Sequence, residues 1–255
     1  MRSDVDPDPW PTENPTRVAL VTGASGGIGR AVAERLAADG MTVAVHYAGR
    51  RDRAQDVVDA VTAGGGQAVL VNADVADEHE VATVFDRIEQ ELGGIDVVVH
   101  TAGIMLLSPV EELDLDEFDT MHRTNVRGTF VVAREAARRV RRGGAIINFS
   151  TSVVKLALPS YGAYAATKGA VDALTMILAK EMRGRDVTVN AVAPGPTATP
   201  LFLEGKSQEV IDRMASLPPL ERLGEPGDVA EAVSFQAGAG RWVNGQVVYV
   251  NGGVA

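Results

Sequence analysis

The sequence predicts an α/β protein with one doubly wound domain, in which a seven-stranded parallel sheet carries helices on both faces. Three observations support this fold class. The 255 residues are 45% apolar and 23% charged, the balance of a globular domain of this length. Seven short apolar runs recur along the chain with helical patterns between them. A glycine-rich turn directly follows the first run.

The seven runs are rich in β-branched residues and are continuously apolar rather than alternating. This pattern is typical of parallel strands that are covered on both faces. Helices between parallel strands imply right-handed crossovers. In chain order, the predicted strands are VALVT (18–22), TVAVHY (42–47), QAVLVNAD (67–74), IDVVVH (95–100), AIINFS (145–150), VTVNAVA (187–193) and QVVYV (246–250).

Two segments depart from the tight alternation of strand and helix. Residues 1–16 are rich in proline and acidic side chains and lack any period, so we expect a disordered N-terminal extension before a domain of residues 17–255. Residues from about 195 to 228 are rich in proline and glycine, and they follow the sixth strand. A segment of this length at the carboxyl end of a strand indicates a mobile lid over a ligand site.

Composition excludes several classes of function. The formal net charge of −10 argues against a nucleic-acid or anionic-membrane partner. The chain has no cysteine, and its four histidines lack the spacing of a zinc site, so we predict no metal. The N-terminus has no apolar signal region and no apolar run approaches a membrane span, so we expect a cytoplasmic location.

A cluster of five arginines in REAARRVRRGG is the strongest basic feature of the sequence. We interpret it as a helix C-terminus, where cations interact favourably with the helix dipole, rather than as a nucleic-acid patch. Its members are Arg134, Arg138, Arg139, Arg141 and Arg142.

The turn TGASGGIG (22–29) joins the first strand to a helix that begins near Arg30. Gly23 permits the tight turn, Gly27 allows the backbone to approach a pyrophosphate, and Gly29 permits close packing of helix on strand. The phosphates would lie at the helix N-terminus. With a strand before it and a helix after it, the turn predicts a dinucleotide site.

The stretch SYGAYAATK (160–168) contains two tyrosines and a lysine. Residues four apart share one face of a helix, so Lys168 lies beside Tyr164. Tyr161 is two turns away from Lys168, roughly 10 Å along the axis. Only Tyr164 is close enough to share a site with Lys168.

The glycine spacing G-x-x-x-G-x-G, combined with Tyr164-x-x-x-Lys168, resembles the short-chain dehydrogenase/reductase family over residues 17–255. The resemblance implies an NAD(P)-dependent oxidoreductase on a seven-stranded Rossmann sheet. It also implies a homotetramer or homodimer built through two long helices at about 115–141 and 161–183. Within the family, the chain looks most like the reductases of 3-oxoacyl-[acyl-carrier-protein] thioesters and their relatives.

The same resemblance assigns further residues of the site. Asn125 in RTNVRGTF matches the catalytic asparagine, and Asp74 and Val75 match the adenine contact. In HTAG (100–103), Ala102 and Gly103 fit the family pattern N-N-A-G, whereas His100 and Thr101 depart from it. The remaining implied cofactor contacts are Ser25, Ile28, Tyr47, Pro194, Gly195, Thr197 and Thr199.

The second strand ends in HYAGRR without an aspartate. An acid there would bind the ribose hydroxyls of NAD, whereas an arginine would pair with the extra phosphate of NADP. Arg50 and Arg51 are available for this role, so NADP is the predicted cofactor and NAD is the alternative. The other reading is that both arginines only begin a helix in solvent.

Carbonyl reduction needs a hydride for the carbon and a proton for the oxygen. We expect Tyr164 to be the acid, with a pKa lowered by the ammonium of Lys168. The resemblance implies that Lys168 also binds the nicotinamide ribose and that Asn125 holds a proton-carrying water. The substrate oxygen needs one further hydroxyl, for which Thr151 is the first candidate and Ser152 the second, with Ser150 beside them. These hydroxyls could instead only cap a loop.

Apolar residues in segments that border the cleft predict an apolar substrate wall. They are Met105, Leu106, Leu107, Leu156, Leu158, Leu201, Phe202 and Leu203. The predicted function is reduction of a ketone or 3-oxoacyl group to a secondary alcohol. Two alternatives stay open: an NAD-dependent alcohol or sugar dehydrogenase, and a non-catalytic dinucleotide-binding sensor.

Overall fold

The computed structural model describes residues 16–255. Its centre is a seven-stranded sheet in which every pairing is parallel, with the strand order β3-β2-β1-β4-β5-β6-β7. The order reverses beside β1, so a crevice opens at the carboxyl ends of β1 and β4. The strands are β1 (Val18–Thr22), β2 (Thr42–Tyr47), β3 (Gln67–Asn72), β4 (Ile95–His100), β5 (Val140–Phe149), β6 (Thr188–Pro194) and β7 (Val247–Val250).

Helices cover both faces of the sheet. They are α1 (Gly27–Ala38), α2 (Arg51–Ala63), α3 (Glu78–Leu92), α4 (Leu115–His122), α5 (Gly128–Arg139), α6 (Val153–Leu156), α7 (Gly162–Glu181), α8 (Pro200–Leu203), α9 (Gln208–Ser216) and α10 (Pro226–Ala237). Within residues 16–255, none of them is long and apolar enough to cross a membrane.

The core consists of two apolar layers, one on each face of the sheet. Val18 and Leu20 of β1 point into the layer formed with α3, α5 and α7, whereas Ala19 and Val21 point into the layer formed with α1, α2 and α10. Successive side chains of a strand alternate between faces, so a strand buried on both faces must be apolar at every position. The predicted doubly wound parallel sheet is confirmed.

The region of the arginine cluster differs from the prediction. The helix ends at Arg139, and Arg141 and Arg142 lie on β5, which begins at Val140 rather than at 145. Arg141 binds both carboxylate oxygens of Asp96 in the neighbouring strand β4, at 2.9 and 2.5 Å. This bidentate pair holds the early part of β5 against β4, where the register between the two strands shifts.

The long helix predicted at 115–141 is divided by a π-helical turn, Arg123–Arg127. The predicted lid segment contains two short helices, α8 and α9. The extension predicted for residues 1–16 lies, apart from Thr16, outside the described residues.

Candidate active site

A cleft of about 930 Å³ lies at the carboxyl ends of the strands. The glycine turn forms its floor, the loop after β4 and the start of α7 form its walls, and the segment after β6 forms its roof. Most of the predicted cofactor residues line it: Gly23, Ser25, Gly27, Ile28, Gly29, Arg50, Asp74, Val75, Ala102, Gly103, Pro194, Gly195, Thr197 and Thr199.

The glycine turn leaves no room for side chains at two positions. Gly23 has a φ of +66°, and a Cβ atom there would lie 2.9 Å from the main-chain nitrogen of Ala102. A Cβ atom on Gly29 would collide with the carbonyl oxygen of Gly23 and the hydroxyl of Thr101. The turn therefore packs tightly against the loop after β4.

The N-terminus of α1 faces the cleft. The helix begins at Gly27, its first turn carries no acidic residue, and the preceding Gly26 offers no side-chain cap. The free N–H groups and the positive end of the dipole suit a phosphate. These backbone groups, together with the cations described next, fit a dinucleotide with an additional phosphate.

The far end of the cleft carries cations. Arg50 and Arg53 both line it, whereas Arg51, the first residue of α2, is not among the lining residues. Of the two arginines that the sequence offers for this role, the structure brings Arg50 to the cleft. Arg53 follows one turn of helix after Arg50, and this spacing brings the side chains at 50 and 53 to the same side.

Asp74 forms an ion pair with Arg123, with 2.6 Å between its carboxylate and the guanidinium. Its other carboxylate oxygen accepts a hydrogen bond of 2.9 Å from the Ala76 N–H. Burial acts to raise the pKa of Asp74, but the Ala76 N–H and Arg123 outweigh it and hold the pKa below its usual value. Asp74 is therefore a fixed anionic acceptor at the cleft edge.

Tyr47, for which a cofactor contact is predicted, is not among the residues that line the cleft. Its side chain packs against the apolar layer of α1 and α2. His46, the preceding residue of β2, faces the cleft instead, since neighbouring strand residues point to opposite faces. His46 is a cleft residue that the sequence did not predict.

Tyr164 and Lys168 lie in the first two turns of α7, and both line the cleft. The Lys168 Nζ donates a hydrogen bond of 2.8 Å to the Phe149 carbonyl and lies 5.9 Å from the centre of the Tyr164 ring. A Cβ atom on Gly103 would lie only 3.5 Å from this Nζ. Gly103 and the ammonium of Lys168 therefore lie side by side at the cleft.

Asn125 lies in the π-helical turn and is fully buried. Its amide accepts a hydrogen bond of 2.9 Å from the Ile104 N–H and donates one of 2.8 Å to the Ile104 carbonyl. It also donates to the Thr167 hydroxyl at 3.1 Å. The side chain therefore joins the loop after β4 to α7 and fixes the wall beside Lys168.

Burial dominates the titration of both residues on α7. Burial raises the pKa of Tyr164 to about 12. Tyr161 also raises this pKa, whereas the Thr151 hydroxyl lowers it. Burial lowers the pKa of Lys168 to about 8, and Asp172 opposes this change. The expectation that Lys168 lowers the pKa of Tyr164 is wrong for this structure, in which the ammonium is directed to Phe149.

The two candidate hydroxyls have different surroundings. Thr151 lines the cleft, its hydroxyl accepts a hydrogen bond of 3.3 Å from the Val153 N–H, and it acts to lower the pKa of Tyr164. The Ser152 hydroxyl donates to the Ala193 carbonyl at 3.3 Å and accepts from the Asn251 side chain at 3.0 Å. Ser152 also lines the cleft, but its hydroxyl is bonded to β6 and to the C-terminal segment. Ser150 is buried beside Asp172.

The wall beside these hydroxyls is apolar. Five of the eight predicted wall residues line the cleft: Met105, Leu156, Leu158, Leu201 and Phe202. Leu106, Leu107 and Leu203 are not among its lining residues. Four further residues line the cleft that the sequence did not predict in its wall: Ile104, Val153, Tyr161 and Met214. Met214 lies on α9. The amphipathic pattern of this helix indicates that one face packs inward, but it does not show that this face borders the cleft.

No group of three acidic or histidine side chains within residues 16–255 is arranged to hold a metal ion.

Comparisons with known proteins give one family. The profile of the family described as Enoyl-(Acyl carrier protein) reductase matches residues 23–255. A short-chain type dehydrogenase/reductase of Picea abies is 43% identical over 248 residues, which cover 93% of this chain and 92% of that protein. The chloroplastic NADPH-dependent aldehyde reductase 2 of Arabidopsis thaliana is 40% identical over 253 residues, 93% of each chain.

Solved structures with a similar fold belong to the same family. The crystal structure of a short chain dehydrogenase from Burkholderia cenocepacia J2315 in complex with NADP is 36% identical, with a TM-score of 0.88 over 94% of this chain and 98% of that one. Sequence and structure agree over nearly the whole length of each protein. The chain therefore belongs to the short-chain dehydrogenase/reductase family of NAD(P)-dependent oxidoreductases.

Proposed function

We propose that this protein is an NADP(H)-dependent carbonyl reductase, which converts a ketone or 3-oxoacyl group to a secondary alcohol with Tyr164 as the general acid. One observation carries the proposal: Tyr164 and Thr151 line the same cleft as the glycine turn, and the Thr151 hydroxyl acts to lower the pKa of Tyr164. A proton donor, a hydroxyl for the substrate oxygen and a phosphate-binding helix end therefore share one cavity.

The chain's own residues have distinct tasks in this reaction. Bound NADPH supplies the hydride. Thr151 holds the carbonyl oxygen, and Tyr164 donates a proton to it as negative charge develops. The Lys168 ammonium stabilises that negative charge and binds the nicotinamide ribose. Asn125 holds the loop after β4 in place and binds the water that carries protons onward from Lys168.

The titration of Tyr164 supports reduction over oxidation. With a pKa of about 12, the phenol carries its proton at neutral pH. A protonated phenol is ready to act as an acid towards a developing alkoxide, whereas oxidation of an alcohol would need the phenolate as a base. An NAD-dependent alcohol or sugar dehydrogenase is accordingly the second candidate.

Two arginines favour NADP over NAD. Arg50 and Arg53 line the cleft near the end of β2, where an acid would repel the additional phosphate. The NADP bound by the Burkholderia relative and the NADPH named for the Arabidopsis relative support the same choice. The apolar wall, including Phe202 and Met214, favours a substrate with an apolar body next to its carbonyl.

We also propose a homotetramer or homodimer built through α5 and α7. Phe130, Met176 and Ile177 on these helices are 58%, 47% and 55% exposed. Large apolar side chains on one surface are typical of an interface between copies. Light scattering after gel filtration tests this: a monomer at micromolar concentration would contradict it.

A cofactor and substrate panel tests the function. NADPH and NADH absorbance would be followed with ketones, aldehydes, quinones and 3-oxoacyl thioesters, and the reverse reaction with alcohols and sugars. We expect turnover with at least one apolar ketone or 3-oxoacyl compound and a preference for NADPH. Turnover only with NAD and an alcohol would support the second candidate. Dinucleotide binding without any turnover would indicate the non-catalytic sensor.

A further inference from the structure

His46 connects two loops that border the cleft. Its side chain is only 2% exposed. The Gly23 N–H donates a hydrogen bond of 3.2 Å to its Nδ1, and its Nε2 lies 3.0 Å from the Ala73 carbonyl oxygen. Gly23 begins the glycine turn, and Ala73 directly precedes Asp74. The imidazole thus spans from one cofactor loop to the other.

The two partners determine the tautomer of His46. A backbone N–H can only donate and a carbonyl can only accept, so Nδ1 must be the acceptor and Nε2 must carry the proton. The ring is therefore neutral. A protonated ring would direct a second N–H at the Gly23 N–H and lose this bond. Burial lowers the pKa of His46 to about 4, which agrees with the neutral form.

The backbone of His46 adds a third connection to the same turn, because the Ala24 N–H donates to the His46 carbonyl at 3.0 Å. The main chain and the side chain of one residue therefore hold two successive amides of the glycine turn. Without these bonds, the position of the turn would depend on its packing against Ala102.

We propose that His46 is a positioning residue for the dinucleotide, which fixes the glycine turn and the Ala73–Asp74 loop at the separation that the cofactor requires. This inference rests on the proposed function. The imidazole acts through the loops and has no part in hydride or proton transfer. Its loss would therefore weaken dinucleotide binding and leave the chemical step largely unchanged.

The test measures the NADPH dissociation constant by fluorescence for the wild type, His46→Leu, His46→Asn and Val45→Ala. Leucine cannot make either bond, whereas an asparagine amide can accept from one partner and donate to the other. We expect His46→Leu to raise the dissociation constant about tenfold and His46→Asn to stay within about threefold of the wild type. The kcat at saturating NADPH should change by less than about twofold.

Val45→Ala is the matched control, because Val45 is buried on the opposite face of the same strand and has no side-chain group that can hydrogen-bond to either loop. Thermal unfolding without dinucleotide shows whether each variant is folded. Equal weakening by Val45→Ala and His46→Leu would overturn the inference, as would unchanged binding by a folded His46→Leu. A wild-type protein that binds neither NADPH nor NADH would refute the proposed function as well, so the two failures are distinguishable.

Discussion

The Lys168 ammonium donates its hydrogen bond to the carbonyl oxygen of Phe149, the last residue of β5, at 2.8 Å. This bond anchors a buried cation to the carboxyl edge of the sheet and keeps its Nζ 5.9 Å from the centre of the Tyr164 ring. The ammonium is therefore bound to the edge of the sheet and not to the phenol of Tyr164.

Asp172 lies one turn after Lys168 on α7 and is the group that opposes the lowering of the Lys168 pKa by burial. Asp172→Asn removes that opposition, so the pKa of Lys168 should fall below about 8. Activity that needs the ammonium is lost as pH rises through this pKa. We expect the alkaline limb of kcat/KM to move to lower pH in Asp172→Asn, whereas Asp172→Glu should keep the wild-type profile. Superimposable profiles for all three proteins would contradict this role.

Tyr164→Phe removes the proposed proton donor without changing the size of the side chain. We expect kcat to fall by about 10²–10⁴ and the NADPH dissociation constant to stay near the wild-type value. Tyr161→Phe is the matched control, because Tyr161 also lines the cleft and is three residues earlier. Stopped-flow measurement of NADPH oxidation separates the two variants. Wild-type turnover by Tyr164→Phe would refute the assignment.

Thr151 and Ser152 are adjacent but should respond differently to loss of the hydroxyl. Thr151→Val is expected to lower kcat by about 10²-fold, since the developing negative charge loses one donor, and Thr151→Ser should recover most of the activity. Ser152→Ala should keep its turnover but lose about 1–3 kcal/mol of unfolding free energy, because the Ala193 and Asn251 partners lose their bonds. Kinetics and urea unfolding of each variant test both statements, and the reverse pattern would make Ser152 the substrate hydroxyl.

The fold could be predicted from the sequence because strands buried on both faces have to be apolar at every position. The start of β5 could not, since Arg141 and Arg142 resemble a helix end until Asp96 of another strand is brought beside them. The orientation of individual side chains at the end of β2 also could not be predicted from the sequence. Whether His46 or Tyr47, and Arg53 or Arg51, faces the cleft depends on the strand face and on where α2 begins. The pKa of Tyr164 depends on burial, which the spacing to Lys168 does not report.

Arg50 and Arg53 should determine the preference for NADPH, because both line the cleft and Arg51 is not among its lining residues. We expect the double variant Arg50→Ala, Arg53→Ala to raise the KM for NADPH by about 10–100-fold and to change the KM for NADH little, since each lost pair is a charge-assisted hydrogen bond. Arg51→Ala removes a charge from the same segment and should leave both constants unchanged. If Arg51→Ala impairs NADPH use as much as the double variant, the effect is one of overall charge and the assignment is wrong.

His100 should make the protein sensitive to mild acid. It is fully buried with its Nδ1 2.8 Å from the Thr22 hydroxyl, and burial, with smaller contributions from Lys168 and His46, lowers its pKa to about 3. As pH falls below about 6.5, His100 is protonated in the unfolded chain but stays neutral in the folded protein. The free energy of unfolding therefore decreases by about 1.4 kcal/mol per pH unit for this group.

His100→Asn keeps an acceptor for the Thr22 hydroxyl but does not titrate. Between pH 7 and pH 5, urea unfolding should therefore show the wild type losing roughly 2 kcal/mol more than His100→Asn. Parallel pH dependences of the two proteins would mean that His100 is protonated in the folded state.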